Sequence, residues 1–120
     1  MKTSYFSNRS LSQPLDPRDR KLVSIALWPP RAYRGRLYPL LSPSRVMLNE
    51  DEATYREAYQ KILDRLAPRK VYQELGEDAV LLCWEKPGEF CHRRLVAEWF
   101  ERELGVEVLE YEKKKEPTLF

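Results

Sequence analysis

The sequence predicts an α/β protein: one compact domain with a small, mostly parallel sheet flanked by helices, and a βαβ unit near its C-terminus. The order of elements in the last third of the chain is the clearest indication. The apolar run Ala79–Trp84 predicts a strand, Phe90–Leu104 predicts a helix, and Val106–Tyr111 predicts another strand. Strand, helix and strand within about thirty residues are typical of a βαβ unit with parallel strands.

The first part of the chain adds two predicted strands and a long loop. Thr3–Phe6 predicts the first strand, and the nearly continuous apolar run Lys21–Leu27 predicts a second one, buried on both faces. Pro29 and Pro30 end that strand. From Trp28 to Ser44 neither a helical nor an alternating period is present, which indicates a loop longer than most connections. Loops of this length often bind ligands.

Two helices are predicted between the loop and the last strands. Asn49 with Glu52 three residues on resembles a capping box and predicts the start of the first helix. One apolar stripe follows it, formed by Tyr55, Tyr59, Ile62 and Leu66. The second helix is predicted over Pro68–Leu75, with Gly76 as its stop.

Length and composition indicate one soluble domain. The 120 residues suit a single domain over 1–111, with 112–120 as a charged tail. We find no membrane-spanning run and no signal-peptide core, so we expect no membrane partner and a cytoplasmic location. With two cysteines in a reducing compartment, a disulfide framework is not expected. These features leave the oligomeric state open.

The charge is divided between the two ends of the chain. Residues 1–48 hold nine Lys or Arg and two acids, a net +7, whereas residues 49–120 hold twelve basic residues and seventeen acids, a net −5. The basic part interleaves aromatic residues with arginines: Tyr5, Phe6, Trp28, Tyr33 and Tyr38 among Arg9, Arg31, Arg34, Arg36 and Arg45. This pattern favours an anionic partner such as nucleic acid or a nucleotide. The alternative is that the two halves neutralise each other within the fold.

The segment Leu81–Glu98 carries the strongest functional signal. Cys91, His92 and Arg93 open the helix that follows a strand and a Pro-Gly loop, and a helix N-terminus favours anions. Helical geometry places His92 and Arg93 on the inward stripe, toward the strand ends where parallel sheets bind ligands. It places Arg94 on a solvated face.

These observations predict a Cys-His-Arg crevice that binds a phosphate-bearing ligand, either nucleic acid or a nucleotide. The residues expected to bind the ligand are Tyr5, Ser7, Arg31, Tyr33, Arg34, Glu85, Lys86 and Arg93, with Trp28 as a further stacking residue. For hydrolase or transferase chemistry, Cys91 would be the nucleophile and His92 the general acid or base. The competing hypothesis is a protein-interaction module in which the cluster is structural. In that case Arg93 pairs with Glu85 or Glu89 and Cys83 is a packed thiol.

The spacing also bears on other chemistries. Cys83 and Arg93 are too far apart for the Cys-x5-Arg phosphate loop of tyrosine phosphatases, and the sequence contains no P-loop. A zinc site would use Cys83, Cys91 and His92 with a fourth ligand such as Glu85. Without a second Cys/His pair this signal is weak, so we expect no cofactor and no metal.

Several segments carry a resemblance to a known family: Thr3-Ser4-Tyr5-Phe6, Val23-Ser24-Ile25-Ala26 with the following Pro30, Tyr33-Arg34-Gly35, the stretch from Tyr38 to Pro43, Leu81-Leu82-Cys83-Trp84-Glu85-Lys86, Phe90-Cys91-His92-Arg93 and Ala97-Glu98-Trp99. Together they resemble the bacterial and phage family called domain of unknown function four-eight-eight, which includes YeaO-like proteins. It implies a compact α/β fold over nearly the whole chain. The sequence departs from the family pattern after Ala26, where Leu27, Trp28 and Ala32 replace an Arg-Gly pair and a Trp.

Overall fold

A computed structural model describes residues 1–7, 21–85 and 89–111 of the protein. These residues form one five-stranded sheet with the strands β1 (Lys2–Tyr5), β2 (Leu22–Ser24), β3 (Arg36–Leu37), β4 (Val80–Cys83) and β5 (Leu109–Glu110). The spatial order is β3-β2-β4-β1-β5, and every neighbouring pair is parallel. The predicted α/β class with a parallel sheet is therefore confirmed. The predicted tail, 112–120, lies outside the described residues.

Within the described residues, three α-helices accompany the sheet: α1 (Glu52–Asp64), α2 (Pro68–Leu75) and α3 (His92–Leu104). The sequence predicted α2 with both of its ends, and it predicted the last residue of α3. The predicted cap of α1 is wrong, because Asn49 ends a short 3₁₀ helix, Val46–Asn49, and Asp51 caps α1 by accepting the Thr54 N–H at 2.7 Å. In the described part of the chain, no helix combines the length and the apolar character that crossing a bilayer requires.

The sheet is buried on both faces at its centre. Side chains from β2, β4 and all three α-helices form one core, which includes Val23, Leu81, Tyr59, Leu75 and Phe100. The opposite face of the same strands packs a smaller cluster: Phe6, Leu22, Ala26, Tyr33, Val80 and Leu82. Strand residues alternate between the two clusters, as the two-residue period of a strand requires. The prediction that the second strand is buried on both faces is confirmed.

The segment predicted as a loop, Trp28 to Ser44, contains regular structure. Its middle adds the edge strand β3 beside β2, and a 3₁₀ helix at Pro39–Leu41 follows. The Arg36 side chain in β3 donates hydrogen bonds to the last carbonyls of α2, those of Leu75 at 3.0 Å and Glu74 at 2.9 Å. A two-residue strand carries no periodic signal, so the sequence pattern could not predict it.

The strand order produces a crevice at the carboxyl ends of β2 and β4. These two strands are neighbours in the sheet. The next strand after β2 along the chain is β3, on one side of the pair, whereas the next strand after β4 is β5, on the other side. The connections that leave β2 and β4 therefore run in opposite directions. Open α/β sheets bind ligands in the crevice that forms at such a point, outside the carboxyl ends of the strands.

Candidate functional site

A cavity of about 200 Å³ lies at this divergence of the chain. Its walls come from the residues after β2, the residues after β4, the start of α3 and the start of α1. The lining residues are Ala26, Leu27, Trp28, Pro43, Leu48, Glu50, Tyr55, Cys83, Trp84, Glu85, Phe90, Cys91 and His92. The cavity thus contains both predicted catalytic residues, Cys91 and His92, and one of the predicted ligand-binding residues, Glu85.

Cys83, Cys91 and His92 form the buried end of the cavity. Cys83 is the last residue of β4, Cys91 is the N-cap of α3 and His92 is its first residue. Their sulfur and ring-nitrogen atoms all lie within 4.8 Å of one another. The Sγ atoms of Cys83 and Cys91 are bonded in this structure, a pairing that the sequence left open. The strand end and the helix start bring together two cysteines that are eight residues apart.

The His92 imidazole is held by the carbonyl at the end of β2. Its Nε2 lies 2.7 Å from the Ile25 oxygen, and since a carbonyl only accepts, Nε2 carries the hydrogen. In the neutral ring Nδ1 is therefore unprotonated, and it lies 3.8 Å from the Cys91 Sγ. Burial lowers the pKa of His92 to about 4; the bond to Ile25 opposes this shift and the charge of Arg93 adds to it. The imidazole is neutral at pH 7.

The positive charge of Arg93 is directed to a carboxylate of the protein. Its Nε and Nη2 donate to the two Glu110 carboxylate oxygens at 3.0 and 2.7 Å, and its Nη1 donates to the Glu85 carbonyl at 2.5 Å. Nη1 also lies 3.0 Å from the Cys83 Sγ. The sequence correctly indicated that a buried Arg93 needs an anion, but that anion is Glu110 rather than a ligand phosphate.

Arg94 is also held within the fold. Its Nη1 donates to the Thr3 hydroxyl at 2.8 Å and to the Val108 carbonyl at 3.1 Å, and the residue is half-buried. The expectation of a solvated Arg94 was wrong because helical position alone ignores the reach of a long side chain toward β1 and the start of β5.

The two predicted stacking tyrosines contact the protein interior. Tyr33 is buried against Phe6, and its hydroxyl donates to the Arg36 carbonyl at 2.7 Å, with the Leu22 carbonyl at 3.2 Å. This burial contradicts a role for Tyr33 in stacking on a base. Tyr5 is half-buried, and the Arg93 guanidinium lies 6.0 Å from the centre of its ring.

The other predicted ligand-binding residues lie at the surface. Ser7, Arg31, Arg34 and Glu85 are exposed, and Arg34 donates to the Arg31 carbonyl at 2.9 Å. Of these four, only Glu85 lines the cavity. Lys86 lies outside the described residues.

The cavity mouth has an aromatic rim that the site prediction recognised only in part. Trp28 and Trp84 are 59% and 53% exposed, large fractions for indole rings, and the Trp84 Nε1 donates to the Trp28 carbonyl at 2.7 Å. From the sequence, Trp84 was predicted only as the end of the apolar strand Ala79–Trp84. Trp84 follows the uniformly buried strand β4 and continues its apolar run, so the sequence pattern contained no signal that this ring would be exposed.

The charged side chains that line the cavity are acidic, which determines the kind of ligand that the cavity can bind. Among the described lining residues the charged side chains are Glu50 and Glu85, and neither lysine nor arginine is present. The nearby Tyr55 hydroxyl has its pKa raised by burial and by the negative charge of Glu85. The interior therefore suits an uncharged ring or a cation better than a phosphate group.

No protein-family model, curated protein or solved structure matches this chain. The resemblance to the four-eight-eight family stays a prediction from the sequence.

Proposed function

We propose that the protein binds a nucleotide or a short single-stranded nucleic acid at the rim of the cavity, with a base against Trp28 and Trp84. The observation that carries this proposal is the pair of exposed indole rings at the mouth of a cavity between diverging parallel strands. Aromatic faces that are left in solvent beside a cavity are typical platforms for base stacking.

The phosphate group would lie outside the cavity, on the basic loop after β2. The cavity lining contributes acidic side chains, and Arg93 is engaged by Glu110. Arg31 is exposed and only three residues from Trp28, so their Cα atoms are at most about 11 Å apart. Arg34 lies beside Arg31. These two guanidinium groups replace Arg93 as the proposed phosphate ligands.

The stacking part is tested by titrating a fluorescently labelled single-stranded oligonucleotide with the protein and following anisotropy. Trp28→Ala should weaken binding by about 5- to 150-fold, the equivalent of about 1–3 kcal/mol per stacked base. Trp28→Phe keeps an aromatic face and should retain most of the affinity. Equal affinities for the two variants would contradict stacking.

The phosphate part is tested by the salt dependence of the same affinity. Changing both Arg31 and Arg34 to Ala should reduce the slope of log K against log salt by about 1.4, since each neutralised phosphate of a single strand contributes about 0.7. Changing Arg65 and Arg69, two exposed arginines outside the cavity lining, is the matched control and should leave the slope unchanged. An affinity that does not fall as salt rises would refute phosphate binding.

Catalysis by Cys91 and His92 on the bound ligand also stays a proposal. Both side chains line the cavity, and the Cys91 Sγ lies 3.8 Å from the His92 Nδ1, but the Sγ is bonded to Cys83 and would need to be reduced before it could act as a nucleophile. Turnover that persists in Cys91→Ser would exclude the nucleophile role.

The second candidate is a protein-interaction module, which the edge of the sheet favours. The strand β3 is an edge strand, its Leu37 is exposed, and exposed Leu40 and Val46 follow. An edge strand can pair with a strand of another protein. This reading predicts no oligonucleotide affinity and a protein partner whose binding is lost in Leu37→Lys/Val46→Lys.

A further inference from the structure

We propose that the protein, with its cysteines reduced, holds one Zn²⁺ ion through the Sγ atoms of Cys83 and Cys91 and the Nδ1 atom of His92. The fourth coordination position faces the cavity. This inference depends on the donor atoms and their surroundings, and it holds whether or not a nucleotide is the ligand.

The donor set is the first argument. Two thiolates and an imidazole form a combination that selects zinc over the oxygen-preferring cations Mg²⁺ and Ca²⁺. All three residues are buried, and their donor atoms already lie within 4.8 Å of one another. Donors at about 2.0–2.3 Å from a tetrahedral ion are separated by about 3.3–3.8 Å, so only side-chain adjustments are needed.

The backbone separation of the two cysteines is the second argument. Their Cα atoms are 7.4 Å apart, beyond the range of about 4.4–6.8 Å in which most disulfides fall. A bridging ion places the sulfur atoms farther apart than a covalent bond does, which accommodates a wider backbone separation.

Metal binding requires the Sγ–Sγ bond to be reduced. A dithiol reductant supplies two electrons and two protons, the sulfur–sulfur bond breaks, and the reductant becomes a cyclic disulfide. The ion then binds as the two thiols release their protons. The cytoplasm predicted from the sequence would keep the cysteines in this reduced form.

The contacts around the donors are the third argument. Metal-binding histidines almost always donate their other N–H to a carbonyl or carboxylate, and the Nε2 of His92 donates to the Ile25 carbonyl. The Arg93 Nη1 lies 3.0 Å from the Cys83 Sγ, and a guanidinium N–H directed at this sulfur would stabilise its thiolate. Cys91 is the N-cap of α3, but its side chain makes no capping hydrogen bond. Metal binding by its sulfur would therefore not disrupt a cap of the helix.

The fourth position gives the ion access to the cavity. Glu85 supplies a carboxylate beside the site, with Oε2 3.5 Å from the Cys83 Sγ, and it lies on the cavity wall. A sulfur and an oxygen bound to one tetrahedral zinc are separated by about 3.6 Å, so Glu85 is positioned near this corner.

The test uses full-length protein without an affinity tag, reduced with a dithiol under anaerobic conditions and titrated with Co²⁺ and then Zn²⁺. We expect one Co²⁺ per chain, with sulfur-to-cobalt charge-transfer absorption and tetrahedral visible bands, all abolished by one equivalent of Zn²⁺. Protein with the same sequence in the oxidised form is the matched control and should give no charge-transfer band. A reduced protein without that band would overturn the proposal.

Variants assign the ligands individually. Cys83→Ser and Cys91→Ser should each lower Zn²⁺ affinity by more than about 100-fold, since even changes around the ligands cost about 10–100-fold. Glu89→Gln, an exposed change in the same loop, should have no effect. Unchanged affinity in either serine variant would refute the site. If a serine variant fails to fold, the sulfur-to-cobalt charge-transfer intensity of the wild-type protein tests the ligand set instead. An intensity that corresponds to two thiolates supports the site, and a lower one contradicts it.

Discussion

Glu110 should be one of the most important charged residues for stability, because it neutralises a buried guanidinium. Arg93 is 1% exposed and Glu110 is 21% exposed, and two charged hydrogen bonds join them. Each such bond contributes about 1.5–3 kcal/mol. Removing one partner of a buried pair costs about 3–5 kcal/mol, and the partial exposure of Glu110 places our expectation for Glu110→Ala at about 3–4 kcal/mol.

The assay is urea unfolding of the reduced protein, followed by circular dichroism, for a double-mutant cycle. Glu110→Ala, Arg93→Met and the double variant should give a coupling energy of about 2 kcal/mol or more, because the double variant leaves no buried unpaired charge. The pair Glu52 and Arg56, whose side chains are 58% and 46% exposed, is the control and should couple by about 0.5 kcal/mol or less. A coupling below about 1 kcal/mol for Arg93 and Glu110 would show that the guanidinium charge is not satisfied by this carboxylate.

Three further predictions concern the parts of the fold that support the cavity. Tyr59→Phe removes the hydroxyl that donates to the Leu41 carbonyl at 2.6 Å and should cost about 1–3 kcal/mol at pH 7. Burial raises the pKa of Tyr59 well above 10, so above pH 10 the unfolded state loses this proton first and stability falls; Tyr59→Phe should flatten that fall in urea titrations at pH 9 to 11. Asp51→Ala removes the cap of α1 and should lower the free energy of unfolding by about 1 kcal/mol, whereas Asp51→Ser should restore most of it. Gly105→Ala should cost about 1 kcal/mol, measured in the same way, because Gly105 has a φ of +68°. An unchanged free energy of unfolding in any of these variants would contradict the contact or the backbone conformation named for it.

The sequence pattern predicted the elements whose signals are local. Pro68 and Gly76 mark the two ends of α2, and the apolar run before Trp84 marks β4. The inward stripe of α3 was also predicted correctly, since His92 and Arg93 are buried. Periodicity and breakers act within a few residues, so they can be interpreted without knowledge of the fold.

The predictions that failed depended on partners distant in sequence. Glu110 is seventeen residues from Arg93, and its role depends on β5 lying beside β1. Tyr33 was predicted to stack on a base, but in the fold its ring packs against Phe6, a residue distant in sequence. From the sequence, Cys83, Cys91 and His92 were predicted to be only a weak zinc site, because the chain has no second Cys/His pair. Their convergence results from the end of β4 meeting the start of α3.

We propose that Cys83, Cys91 and His92 form one metal site at the end of the cavity. X-ray absorption at the zinc edge, on reduced protein carrying one Zn²⁺ per chain, would identify the atoms bound to the ion. We predict two sulfur neighbours at about 2.3 Å and a nitrogen neighbour of imidazole type at about 2.0–2.1 Å. A spectrum with only nitrogen and oxygen neighbours around the zinc would rule out this site.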